Sequence, residues 1–193
     1  MKKGFCILIV ALALYGCDSS GRVEQTKALT NEIKASQIKR VTNTQLVYSA
    51  NEWGKKISQI AEKSLKAEIE KNPESGKKFC NTLDEIPVIA ALQKEYGVQV
   101  ELLGEGDLKS SRLAPKEQEL LDAYLFSAKS KTAAGDNLQQ LGDSMLVYNA
   151  PVPVESIICK TCTQNAEVPF SVWRLLFNKK DIIRKLDAKQ LKK

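Results

Sequence analysis

From Thr44 to Lys71 the apolar residues Leu46, Val47, Trp53, Ile57, Ile60, Ala61, Leu65 and Ile69 recur mostly three or four positions apart, the spacing that lines one face of an α-helix. The run predicts a long helix ended by Asn72-Pro73, because proline disfavours helical geometry in the residue before it. A second helical pattern follows from about Lys77 to Glu95 on Phe79, Leu83, Ile86, Ile89, Ala90 and Leu92, with a kink expected at Pro87 and an end at Gly97. Beyond Gly97 the texture changes. VQVELL at 98–103, MLVYNAPVPV at 145–154 and VPFSVWRLLF at 168–177 are short alternating or β-branched runs that predict strands. Between the first two, PKEQELLDAYLFSAKS opens on Pro115, which suits a first helical turn, and places Leu120, Leu121, Tyr124 and Leu125 on one face. This order of elements predicts an α+β fold: an antiparallel sheet of at least three strands with a long N-terminal helix and flanking helices.

Two flanking stretches are amphipathic or polar. NKKDIIRKLDAKQLKK at the C-terminus sets Lys179, Lys180, Arg184, Lys185, Lys189, Lys192 and Lys193 around a stripe of Ile182, Ile183, Leu186 and Leu191. It predicts a basic amphipathic helix packed on its own sheet with its lysines in solvent, anionic lipid headgroups being the alternative support. Residues 17–42 are polar with sparse apolar positions at Val23, Leu29, Ile33 and Ile38, which suits either a tether or a first helix. Residues 43–193 then form a single domain, within the usual ~100–200 residues.

The N-terminal MKKGFCILIVALALYGCDSS follows another rule. Lys2 and Lys3 precede an apolar run from Phe5 to Tyr15, shorter than the ~18 residues a spanning helix needs, so residues 1–16 read as a signal peptide. Leu14-Tyr15-Gly16-Cys17 resembles the lipobox of bacterial lipoproteins, with leucine three before the cysteine and a small residue just before it. The resemblance implies lipidation of Cys17 with fatty acyl chains such as palmitate, anchoring at a membrane and a domain facing the periplasm. Asp18 resembles an inner-membrane retention signal. The chain carries 29 Lys+Arg against 23 Asp+Glu, and loss of Lys2 and Lys3 leaves 27 against 23, or +4, too mild a charge to argue for nucleic acid.

The chain has no histidine, which excludes Ser-His-Asp and Cys-His catalysis. The acid pairs Glu117/Glu119 and Asp84/Glu85 lie in polar strings and read as solvated helix faces, and Gly104-Glu105-Gly106-Asp107 reads as a turn connecting two strands. No catalytic residue emerges, and a non-catalytic protein is expected. The remaining chemistry is sulfur: Cys80, and Cys159 and Cys162 in the C-x-x-C of IICKTCTQ, followed by Thr163. No helix is expected to begin at Cys159, because residues 164–167 are polar and Pro169 follows.

Residues 80–172 resemble the PAS-like c-type haem-binding domain family of bacterial exported and sensor proteins. The resemblance is carried in order by Cys80, Ser111-Arg112 before APKEQELL, VYNAPVPV, the C-x-x-C and FSVW. Where family members show arginine-asparagine-proline, this chain has Arg112-Leu113-Ala114-Pro115, and where they carry the haem-ligating histidine of C-x-x-C-H it has Thr163. The resemblance implies a PAS-like sheet and, in the family, haem c attached through both thiols with the histidine as axial ligand. Cys80 would be the thiolate ligand of any haem retained here.

Three arrangements of Cys80, Cys159 and Cys162 follow: haem c held without axial histidine, a redox dithiol, or a structural disulfide, either Cys159 to Cys162 or Cys80 to one of them. The disulfide is favoured, and a zinc site is disfavoured because three thiols leave four-ligand coordination incomplete. The expectation is a membrane-anchored lipoprotein, without cofactor, whose PAS-like domain binds a small molecule or a periplasmic protein. Electron transfer or redox sensing is the alternative.

Overall fold

The computed structural model describes residues 41–163 and 168–186. The expected signal peptide, Cys17, Asp18, the stretch through Arg40 and residues 187–193 lie outside the described residues, as do residues 164–167. No helix among the described residues is long and apolar enough to cross a membrane.

Helix α1 spans Asn43–Lys71 and is started by a reciprocal cap. Thr42 Oγ1 accepts from the Gln45 amide at 3.2 Å, while Gln45 Oε1 accepts from the Thr42 amide at 2.9 Å. Proline ends α1 as expected, and the same residue opens α2, Pro73–Phe79, where its missing N–H costs nothing. The single kinked helix expected over 77–95 is instead two helices. A 3₁₀ turn at Leu83–Glu85 separates α2 from α3, Pro87–Tyr96, and Pro87 starts α3 because Ile86 before it is held extended at φ −83°, ψ 112°. Gly97 closes α3 in the left-handed region at φ 62°, ψ 40°.

Strand β1 is Val98–Leu103, and a 3₁₀ turn at Glu105–Asp107 leads to helix α4, Pro115–Lys129. The glycine-rich turn therefore joins a strand to a helix rather than two strands. Strand β2, Asn137–Leu141, was not expected; its NLQQL sequence lacks β-branched residues. Strand β3 is Met145–Pro151, helix α5 Ile157–Cys162, strand β4 Val172–Asn178 and helix α6 Lys179–Lys185. Both long apolar runs are strand over only part of their length: β3 stops where Pro151 withdraws a donor, and β4 begins after Pro169.

The sheet has order β1-β4-β3-β2 with every pair antiparallel. Its two faces bury different clusters. Val100, Tyr148, Trp173 and Leu175 pack with the α1 residues Ala50, Ile57, Ala61 and Leu65, and Ile158 of α5 and Ile182 of α6 join them. Tyr148 comes so close to α1 that a β-carbon on Gly54 would lie 2.7 Å from its ring carbons. On the opposite face Leu103 and Val172 pack with Leu121, Tyr124 and Leu125 of α4 and with Phe170. Burial of Ile182 and Leu186 fits the expectation that the C-terminal helix packs on its own domain.

Candidate functional site

The three cysteines meet at one corner of the sheet. Ser156 caps α5 through its Oγ, which accepts from the Ile158 amide at 3.3 Å, so the C-x-x-C lies on a helix after all. Six residues suffice for one turn, which Thr163 closes by donating its hydroxyl to the Cys159 carbonyl at 2.6 Å. The turn separates the two cysteines. Cys159 faces the core and is fully buried, its thiol 3.8 Å from the Val152 carbonyl. Cys162 is half-buried and forms a disulfide with Cys80, their Cα atoms 5.6 Å apart across a sequence separation of 82. Of the pairings considered, this is Cys80 to Cys162, and Cys159 remains a thiol. Burial pushes the Cys159 pKa up, hydrogen bonding from Ser171 draws it part of the way back, and the Glu62 carboxylate raises it further.

Two cavities flank the corner. One, of about 420 Å³, is bounded by the disulfide, Thr163, Ser171 and residues 102–107. A larger one, of about 670 Å³, lies between the C-terminal half of α4 and the segments 151–155 and 168–171. Its wall is mainly apolar, with Tyr124, Ala128, Val152, Val154, Val168 and Phe170. Ser171 borders both cavities; it is almost fully buried, beside the Cys159 thiol. Tyr124 donates its hydroxyl to the Gly135 carbonyl at 3.0 Å, and burial followed by the nearby Asp136 charge pushes its pKa up to about 12, so it is a neutral donor.

The face beneath α4 carries a polar row across all four strands: Glu101 opposite Arg174, Arg174 opposite Asn149, and Asn149 opposite Asn137. Arg174 donates to Glu101 at 2.9 Å and to Glu117 of α4 at 2.8 Å. Glu117 is thus not on a solvated face, as its polar neighbours suggested, but buried. Its second oxygen accepts from the Ala114 amide at 3.0 Å and caps α4. Glu119, Asp84 and Glu85 are exposed as expected. Arg112 extends the chain of charges from Glu101 at 3.6 Å to Asp107 at 3.1 Å, and Asp107 accepts from the Gly104 amide at 3.0 Å. Asn149 Nδ2 and Asn137 Oδ1, further along the row, are buried without partners.

These residues do not fit covalent haem in the disulfide-bonded form. Attachment needs two free thiols and an axial ligand. Here one sulfur of the C-x-x-C is bonded to Cys80, the other is shut in the core, and Thr163 supplies a hydroxyl already hydrogen-bonded to backbone. Cys80, the candidate thiolate ligand, is spent in the same bond. Among the described residues no group of three or more Cys, Asp or Glu side chains is placed to hold a metal ion. Comparison with protein-family models, curated proteins and solved structures finds no match to this chain.

Proposed function

We propose that this chain is a lipid-anchored, periplasm-facing protein whose PAS-like α+β domain binds a small, largely apolar molecule and catalyses nothing. The observation that carries this reading is the cavity of about 670 Å³ beside α4, within the size range of small-molecule sites and lined mainly by apolar side chains, with Lys129, Lys131 and Glu155 as its charged residues. The Ser171 hydroxyl in its wall is a polar group that can orient such a ligand. In this reading the sulfur chemistry of the haem family has been converted into a structural staple. Cys17 supplies the anchor and residues 18–42 the tether.

The probe for the cavity is N-phenyl-1-naphthylamine, whose fluorescence rises in apolar surroundings. The mature protein is expected to bind it saturably, and Ala128→Trp, which fills the cavity from α4, is expected to abolish binding while circular dichroism stays unchanged. Absence of saturable binding, or unchanged binding by a folded Ala128→Trp variant, overturns the reading. A second reading, redox exchange, has one observation in its favour: the Cys80–Cys162 bond borders the smaller cavity, where an external thiol has access.

A further inference from the structure

We propose that the end of the domain where α1 begins is a docking surface for anionic phospholipid bilayers, with Lys180, Arg184 and Lys185 of α6 as its charged contacts. The proposal rests on the reading of Cys17 as the lipid anchor, and it goes beyond tethering by assigning the domain a face that lies on the membrane.

Four observations lead to it. First, α6 sits beside the start of α1: Lys179 donates its ammonium to Asn43 Oδ1 at 3.4 Å. The chain that leads back to Cys17 enters the domain at this point, through the basic pair Lys39-Arg40 in sequence. Second, α6 is divided by burial. Ile182 is fixed in the core, whereas Lys180, Arg184 and Lys185 are exposed. Packing on its own domain and presenting cations are therefore compatible in one helix.

Third, opposing charge at this end is limited. Asp181 is ion-paired with Arg184 and lies against Gly97, Glu95 stands next to Lys94 in sequence, and Asp143 in the β2–β3 turn is exposed. Against Asp181 and Asp143 stand Lys179, Lys180, Arg184 and Lys185, two acids to four bases and hence a local +2. Fourth, Tyr48 is 67 % exposed one turn into α1, an amphipathic ring of the kind enriched at headgroup level. In sequence, 23 residues, 18–40, separate Cys17 from this end of the domain.

The test uses residues 17–193 carrying Cys17→Ser, which removes the lipid and isolates docking. Cosedimentation with phosphatidylcholine vesicles containing about 30 % phosphatidylglycerol should show binding that pure phosphatidylcholine does not support and that high salt removes. Each basic residue near an anionic surface contributes roughly fivefold in affinity, so the triple variant Lys180→Glu/Arg184→Glu/Lys185→Glu should lose at least about tenfold. The control triple variant Lys63→Glu/Lys66→Glu/Lys71→Glu carries the same charge change about 30 Å or more along α1 from Asn43 and should bind within about twofold of the parent.

Equal binding to both vesicle types, equal loss in the two triple variants, or no binding by a parent protein folded by circular dichroism overturns the proposal. Failure of the anchor reading appears separately, as membrane retention of the Cys17→Ser protein in cells through high-salt and carbonate washes.

Discussion

Removing the Cys80–Cys162 bond should destabilise the domain severely without altering its native packing. The bond closes a loop with a sequence separation of 82, for which the chain-entropy relation gives about 4.5 kcal/mol of lost denatured-state freedom at room temperature. That is a large share of the ~5–15 kcal/mol by which domains are stable. In Cys80→Ser/Cys162→Ser the new hydroxyl at position 80 lies where the sulfur now approaches the Gly76 carbonyl at 3.6 Å, so little is lost from the native state itself. With a urea slope of ~2 kcal/mol/M, the midpoint should fall by about 2 M, and the slope should rise because the unlinked chain exposes more surface.

The assay is urea unfolding followed by tryptophan fluorescence, run beside a thiol count. In residues 17–193 carrying Cys17→Ser a maleimide should label one cysteine after denaturation, Cys159, and almost none before it, since that thiol is buried and its pKa is raised. A midpoint unchanged within about 0.3 M would refute the entropic argument. A nonreduced peptide map joining Cys159 to Cys162 would refute the pairing.

Two further substitutions probe the scaffold. Gly54→Ala should cost about 1–2 kcal/mol by thermal melting: the roughly 1 kcal/mol gained in helix propensity is outweighed by overpacking against the Tyr148 ring, whose hydroxyl is tied to Asp136, and a stabilised variant would contradict this. Glu117→Ala should cost about 3–5 kcal/mol by leaving the Arg174 guanidinium buried with half its partners and the α4 amide uncapped, whereas Glu117→Leu/Arg174→Met should recover much of that loss; a double variant no better than Glu117→Ala would argue against a purely structural pair.

The fold was legible in the sequence wherever periodicity and proline agreed. The 29-residue α1, the α3 terminus at Gly97 and strand β1 fall almost where the pattern put them. Strand β2 was hidden because an edge strand needs little apolar side chain, and NLQQL offers no alternation to read. Proline was ambiguous in principle: the same lack of an N–H that kinks a helix interior is harmless at a first turn, and Pro87 took the second role.

The site was half legible. The three cysteines were visible as the chemistry of the chain, but their partners depend on which face of α5 each occupies, and six residues between a proline-rich strand end and a polar loop carry too weak a helical signal. Arg174 did leave a trace, as the one charge within the apolar VWRLLF, and a buried cation implies a buried acid. Nothing local to Glu117, among Lys116, Gln118 and Glu119, marked it as that acid.

The distribution of polar devices around the sheet bears on where a ligand goes. Strand β1 is an edge, and its neighbours occupy that edge: Gln93 Oε1 accepts from the Val100 amide at 3.0 Å, and Asp107 accepts from the Gly104 amide. Arg112, Glu101 and the Cys80–Cys162 bond cluster on the same side, so the cavities along β1 are polar, branched by ion pairs and partly filled by groups already satisfied. A ligand entering there would have to displace hydrogen bonds that it does not replace. Beside the C-terminal half of α4 the larger cavity is walled mainly by prolines, valines, alanines and Phe170, with Lys129, Lys131, Thr132 and Glu155 among its polar residues. Desolvation therefore costs less beside α4 than along β1. The disulfide and the Arg112 ion pairs brace the β1 side of this corner, and the ligand-sized, mainly apolar space lies on its other side, with Ser171 bordering both.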